Sequence, residues 1–251
     1  MTRESVLGRA VRIIEVFGPD ETALGVSELA RRTGLHVATV SRLVEHLVGH
    51  GWLQRDADRK VRIGVRLWEV ASRASPTLPL REAAMPYMED LHAVVRQHTQ
   101  LAVREGDEVL FLERLSARRA VINLTRIAGR LPLHASSSGE VLLAHAPAEV
   151  QERVLGGTLP AFTPHTVTDP KALRTRLAGI RRDGFALCAG FIDERATGVA
   201  VPVRGPGGHV VAALGVVVPH DAGARTVIPA LRATALGIGR AMGFSPDENR
   251  V

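Results

Sequence analysis

One predicted helix, over residues 36–48, begins with side chains suited to reading a nucleic acid. In a helix-turn-helix the first turns of the third helix enter the major groove. The candidate contacts on those turns are His36, Ala38, Thr39 and Arg42. The Arg42 guanidinium can bind guanine O6 and N7 together or grip a phosphate, with the phosphate role slightly favoured. The Thr39 hydroxyl suits a phosphate and its methyl suits thymine, or the residue is simply exposed.

More basic side chains follow in a predicted hairpin. Residues 52–55 and 60–63 alternate in polarity around a turn at residues 56–59, which is typical of paired antiparallel strands. A hairpin after the longer helix makes the motif winged, and its cations can reach phosphates or the minor groove. The candidates are Arg55, Arg59, Lys60 and Arg62, and acidic residues in the turn partly cancel their charge. A winged helix that contacts only proteins is the alternative.

A serine-rich segment at residues 131–140 is the most informative stretch of the second half of the chain. Three serines and a glycine precede an apolar helix, whose unpaired N–H groups and positive dipole end would suit a carboxylate. An ordinary multiple-serine cap explains the same spacing. His134 beside the serines suggests a hydrolase, but the sequence shows no G-x-S-x-G elbow and no partner acid.

The composition excludes several other kinds of site. Cys188 is the only cysteine, so no intramolecular disulfide and no thiolate zinc site can form. His46 and His50 share a helix face without the H-E-x-x-H pattern, so no metal site is predicted. The glycine-rich stretches lack the context of a nucleotide loop, so no cofactor is implied. The net charge of +6 decides little, and the lack of a long apolar run predicts a cytoplasmic protein.

The periodicity predicts how these residues are positioned. Helices are expected at residues 5–17, from a serine cap at Ser27 to Gly34, and at residues 36–48, followed by the hairpin. Another helix over residues 65–75 ends at Pro76 and Pro79, which cannot sit inside a helix and mark a hinge. We therefore predict a winged helix-turn-helix at residues 1–64, a linker helix and hinge at 65–80, and a second domain at 81–251.

The second domain reads as α+β, with an antiparallel sheet between helices. Its predicted strands lie at residues 100–104, 109–115, 186–191, 198–203 and 210–218. Its predicted helices lie at residues 86–98, 139–145, 148–154, 170–183 and 227–242.

Three motifs in this order resemble those of the IclR family of bacterial regulators, and the resemblance covers residues 6–243. They are ELARRTGLHVATVSRL at residues 28–43, LPLHASSSGEVLLA at 131–144, and GFA at 184–186 with VAVPV at 199–203 and VVAALGV at 210–216. The resemblance implies a regulator that is not an enzyme. It further implies operator DNA as partner, a GAF-like domain that binds a small organic acid or aromatic effector, and a homodimer or tetramer.

Carried over by position, the effector pocket comprises Leu124, Leu131, Ser137, Ser138, Cys188 and Gly198. The chain departs from the family pattern at Ala38, where serine is frequent, and at Glu140, Cys188, Phe191, Arg195 and Gly198. These departures predict a ligand more apolar, or more anionic, than a simple keto acid. The alternatives are a degenerate second domain that binds nothing and serves oligomerisation and, from another class, a small-molecule enzyme.

Overall fold

The structure is a computed structural model that describes residues 4–18, 21–117, 125 and 127–245. Backbone contacts divide the chain into two compact units, Met1–Leu78 and Pro79–Val251. The finer predicted division at residues 64 and 80 stays a prediction. Together the two units form an α+β architecture with an N-terminal helix-turn-helix, which confirms the predicted fold class.

The first unit is a trihelical core with a hairpin. Its elements are α1 (Val6–Glu15), α2 (Val26–Thr33), α3 (Val37–Gly49), β1 (Leu53–Arg55), β2 (Val61–Ile63) and α4 (Val65–Arg73). The strands β1 and β2 are antiparallel, and Leu24 forms an isolated bridge to Val61. One apolar cluster joins the helices to the hairpin, with Ile13, Leu29, Val40 and Val61 at its buried centre. This is the predicted winged arrangement.

The start of α2 differs from the prediction. Its N-cap is Gly25 in an extended conformation, without a side-chain cap, so the predicted Ser27 cap is wrong. Val26 packs against the core cluster, and this contact places the cap two residues earlier than predicted.

The second unit is built on a six-stranded antiparallel sheet in the order β5-β4-β3-β8-β7-β6. The strands are β3 (His98–Glu105), β4 (Glu108–Leu115), β5 (Arg130–Pro132), β6 (Ala186–Ala189), β7 (Ala196–Arg204) and β8 (Val210–Pro219). The helices are α5 (Leu78–Val95), α6 (Ser137–Ala144), α7 (Ala148–Leu155), α8 (Pro170–Asp183) and α9 (Ile228–Ala241). The short strand β5 was not predicted, because three residues carry no readable alternation.

Each face of the sheet carries its own helices because strand side chains alternate between faces. On β7, Val199 and Val201 pack in the cluster that includes α5 and α9. Ala200, between them, packs in the opposite cluster with α6, α7 and α8. Gly198 shares the face of Ala200, so it lies beneath α6.

Two prolines lie within α5, contrary to the predicted hinge and helix start at residue 86. Pro79 occupies the first turn, where its missing N–H is not needed, and Pro86 lies in the interior. Leu80, Ala84 and Met88 are buried against the sheet at helical spacing. Burial of this apolar stripe outweighs the hydrogen bond that Pro86 removes.

Candidate DNA interface and effector cavity

The predicted recognition residues share one end of α3. Gly34 ends α2 with φ 66° in the left-handed region, which turns the chain into α3. His36 caps α3, and its Nδ1 accepts a hydrogen bond from the Ala38 N–H at 3.4 Å. His36, Ala38 and Arg42 are exposed and Thr39 is half-buried, whereas Val40 lies in the core. The first turns of α3 therefore present these side chains outward.

Arg42 differs from the arginines of α2. Glu28 accepts hydrogen bonds from Arg31 at 2.9 and 2.6 Å and from Arg32, which also pairs with Glu21. The bonds from Arg31 and Arg32 lower the pKa of Glu28 to about 2. Within the described part of the chain, Arg42 forms no ion pair, so its charge stays available for an external anion.

The hairpin turn is organised by Asp56. Its carboxylate accepts from the N–H groups of Asp58 and Lys60 at 3.0 and 2.9 Å and from the Arg62 guanidinium at 3.0 Å. Although partial burial acts against it, the bonds from Lys60 and Arg62 hold the pKa of Asp56 below its ordinary value. The charge of Arg62 is therefore largely compensated inside the protein.

The remaining wing cations fall into two groups. Arg55 donates to the Arg59 carbonyl at 3.3 Å and lies 3.9 Å from the Glu45 carboxylate of α3. Arg59, with φ 60°, and Lys60 are exposed, and neither side chain has an acidic partner among the described residues. On this wing, Arg59 and Lys60 carry the charges most available to a phosphate.

A cavity of about 50 Å³ lies in the second unit between the sheet and the start of α6. Four predicted residues line it: Leu131, Ser137, Cys188 and Gly198. Further walls come from residues that the effector prediction did not include, namely Gln100, Thr125, Ala135, Ser136, Phe191, Ile192, Asp193, Ala196 and Val217. Ser138 is buried but is not among the lining residues, and Leu124 lies outside the described residues.

The start of α6 supplies part of the polar lining of this cavity. Ser136 is the N-cap, and its Oγ accepts the Gly139 N–H at 3.1 Å. The N–H groups of Ser137 and Ser138 have no acceptor within the described structure, and the buried Ser138 Oγ also lacks a partner there. Unpaired N–H groups at a helix start, next to the positive dipole end, favour an anionic ligand.

Two glycines allow α6 to lie this close to the sheet. A methyl group on Gly198 would lie 2.8 Å from Ser137 Oγ, and one on Gly215 would lie 2.9 Å from Ser138 Oγ. Only glycine leaves room for both serine hydroxyls at this contact.

Beneath the cavity lies a buried ion pair. Glu140 is fully buried and accepts two hydrogen bonds from Arg176 of α8, at 2.8 and 2.7 Å. The Cys188 thiol donates to the same carboxylate at 3.3 Å. Burial and the nearby Glu140 charge raise the pKa of Cys188 well above its ordinary range, so the thiol stays protonated. Sequence reasoning missed Arg176, because nothing in the local pattern of α8 indicates a partner in α6.

Arg195 is not itself among the cavity-lining residues, but its ion-pair partner is. Its guanidinium lies 2.9 Å from the carboxylate of Asp193, which lines the cavity, and the Arg195 side chain is 71% exposed. The expectation that Arg195 changes the pocket chemistry stays a prediction.

The described residues carry no sign of a metal centre or a membrane span. They contain no group of three or more His, Cys, Asp or Glu side chains arranged to hold a metal ion. None of their helices has the length and apolar character needed to cross a bilayer.

Known proteins match both units. The IclR helix-turn-helix domain matches residues 6–57, and the C-terminal domain of the IclR bacterial transcriptional regulators matches residues 73–240. The regulator XynR of Escherichia coli is 29% identical over 242 residues, which covers 94% of this chain and 96% of XynR.

Two solved structures share about half of the sequence. An IclR homologue from Microbacterium hydrocarbonoxydans, crystallised with 4-hydroxybenzoate, is 50% identical, with TM-score 0.92, 96% of this chain covered and 100% of that chain. A homologue from Microbacterium sp. strain HM58-2 is 48% identical, with TM-score 0.64, 96% of this chain covered and 99% of that chain. The chain therefore belongs to the IclR family of bacterial transcriptional regulators.

Proposed function

We propose that this regulator binds its operator through the start of α3 and the wing, and that a small organic acid in the α6 cavity alters that binding. The observation that carries the proposal is a mostly apolar cavity that reaches Ser137 at the start of α6, where the N–H groups of Ser137 and Ser138 have no acceptor among the described residues. Such a cavity suits a ligand with an apolar body and one carboxylate.

The DNA contacts we propose are the predicted ones, and they contribute unequally to the affinity for DNA. Arg42 contributes most, because it is exposed and unpaired within the described residues. Arg59 and Lys60 add phosphate contacts, whereas the internal bonds of Arg55 and Arg62 reduce theirs. His36, Ala38 and Thr39 lie beside Arg42 and read base edges or approach the backbone.

For the effector, the homologue from Microbacterium hydrocarbonoxydans suggests the first probe, since it was crystallised with 4-hydroxybenzoate. A cavity of about 50 Å³ is smaller than the ~150 Å³ of a cavity that holds benzene. We propose that the wall rearranges when a ring enters. That rearrangement couples binding to a change in the second unit, which a regulator needs in order to transmit the signal.

The proposal extends to the location, the mode of action and the assembly of the protein. We propose that it acts in the cytoplasm, by binding and not by catalysis, as a homodimer or tetramer. Large apolar side chains are exposed on α1, where Leu7 is 73% exposed, and on α4, where Trp68 is 67% exposed. Exposed apolar groups of this size favour self-association through the first unit.

The DNA contacts can be tested by titrating the protein with its upstream intergenic DNA at two salt concentrations. We expect Arg42→Ala to weaken binding by about 5- to 150-fold if Arg42 reads a base. If Arg42 contacts a phosphate, the loss is similar for all sequences and the salt slope falls by about 0.9. Arg174→Ala removes an equal charge from an exposed pair on α8 and should change neither quantity. Unchanged binding by Arg42→Ala would contradict the assignment.

The effector can be tested in the same DNA titration by adding 4-hydroxybenzoate, with calorimetry on the protein alone. A coupled ligand should change the operator affinity by about 5- to 150-fold. A ligand that binds without changing DNA affinity would refute the coupling. If no organic acid binds, the alternative of a second domain that serves only oligomerisation gains support.

A further inference from the structure

The loop between β6 and β7 fixes one aromatic side chain at the cavity. Phe191 lines the cavity and is only 7% exposed. Its carbonyl accepts a hydrogen bond from Thr166 Oγ1 at 2.6 Å, and the Gly190 carbonyl accepts one from Thr163 Oγ1 at 2.6 Å. The backbone under the ring is therefore anchored on both sides of the Gly190–Phe191 peptide bond.

A cation lies over the face of that ring. The Arg176 guanidinium carbon is 5.0 Å from the Phe191 ring centroid, over its face, and Arg176 is not among the cavity-lining residues. The guanidinium is held by Glu140 and by the Leu187 carbonyl at 3.0 Å. Arg176 thus contacts the Phe191 ring from outside the cavity lining.

This arrangement has a chemical consequence for a ligand. The face of a benzene ring is negative and its edge positive, so a cation on one face draws electron density away from the other. A benzoate ring is anionic and its face is negative, so the face of an unpolarised phenylalanine repels it when the two rings stack. The cation over Phe191 polarises the ring and so offsets the repulsion between the two π-systems.

We propose that Phe191, polarised by Arg176, is a specificity-determining residue that selects monocyclic aromatic acids over saturated acids of the same size. The inference rests on the proposed function, because it names the ligand class of the same cavity. A purely apolar wall would not distinguish a flat aromatic ring from a saturated ring with the same substituents.

A matched pair of ligands separates these two cases. The affinities of 4-hydroxybenzoate and trans-4-hydroxycyclohexanecarboxylate are measured by calorimetry on the full-length wild type and on Phe191→Leu. We expect the wild type to prefer the aromatic acid and Phe191→Leu to lower that preference by about two- to tenfold. Phe191→Met serves the same purpose if the leucine variant unfolds, and far-UV circular dichroism checks the fold of each.

Leu131→Met is the matched control, because it changes another apolar wall of the same cavity at nearly constant volume. It should leave the preference for the aromatic ligand unchanged. An equal preference in wild type and Phe191→Leu, with both ligands bound, would overturn the inference and leave the proposed function intact. If the wild type binds neither acid, this inference fails, whereas the proposed function fails only if no other organic acid binds.

Discussion

Gly198 is the position where a single added methyl group should disturb the cavity most. An alanine Cβ there would lie 2.8 Å from Ser137 Oγ, which is closer than any relaxed non-bonded contact. Ser137 begins α6, so relief of the clash requires its hydroxyl to rotate into another rotamer or the start of that helix to move away from β7. Overpacking of this kind costs about 1–3 kcal/mol. We therefore expect Gly198→Ala to lower the free energy of unfolding by that amount.

A double-mutant cycle identifies the cause. In Ser137→Ala the hydroxyl is gone, and the nearest remaining side-chain atom, Cβ, would lie 3.5 Å from the new methyl, an ordinary contact. Ser137→Ala should therefore restore at least about 1 kcal/mol in the double variant. Gly179→Ala is the matched control, because its new methyl meets only the far end of Arg182 at 3.8 Å. In the interior of α8 it should stabilise the protein by about 0.5–1 kcal/mol.

The assay is urea unfolding followed by far-UV circular dichroism. Tryptophan fluorescence is unsuitable because Trp52 and Trp68 both lie in the first unit. Additive effects of the two substitutions would refute the proposed contact. So would a Gly198→Ala protein as stable as the wild type.

Three further perturbations test the surroundings of the cavity. Glu140→Ala should lower the free energy of unfolding, measured in urea, by about 3 kcal/mol or more, because it leaves the largely buried Arg176 without its counter-charge. A loss below about 1 kcal/mol would contradict this role of the pair. Burial lowers the pKa of His145 below its ordinary 6.5. At a pH just below 6.5, His145 is therefore protonated more fully in the unfolded chain than in the folded chain. Stability should therefore fall as the pH drops below about 6.5, and His145→Gln should flatten that slope, whereas an identical pH profile would oppose the assignment. Iodoacetamide should modify Cys188 much more slowly in the native protein than in urea, because the thiol is buried and protonated, and equal rates would show that it is accessible.

The sequence predicts the first unit well because its signals are local. The spacing of Val40, Leu43 and Val44 determines the buried face of α3, and Gly34 determines the turn before it. The error at Ser27 is also local, because the observed cap lies only two residues away, at Gly25. Several neighbouring residues can begin a helix, and a tertiary contact of Val26 decides between them.

The prediction is weaker where tertiary packing opposes a local rule. Pro79 predicted a hinge and Pro86 a helix start, yet α5 begins at Leu78 and runs through Pro86. The sheet that buries Ala84 and Met88 is assembled from strands distant in sequence, so its contribution cannot be read from residues 78–95. The conformation of the segment is decided by this burial and not by the propensity of the prolines.

The cavity also combines residues that a sequence motif identifies with residues that only tertiary packing brings together. Ser137 and Gly198 come from a resemblance to a family pattern, and the structure places both in the lining, although their role in binding stays a prediction. Arg176 could not be found in this way, because its partner Glu140 lies on another helix. A buried carboxylate needs a counter-charge, but the sequence does not show which of the many arginines supplies it.

The pair of Glu140 and Arg176 also determines how a ligand would lie in the cavity. A lone buried carboxylate in the first turn of α6 would repel an anion and cancel the positive end of the helix. Arg176 neutralises it with two hydrogen bonds, so the floor has no net charge from this pair. The unpaired N–H groups of Ser137 and Ser138 then remain as the electropositive feature at the start of α6. We therefore expect a carboxylate to point toward that helix start, with the body of the ligand against the apolar walls.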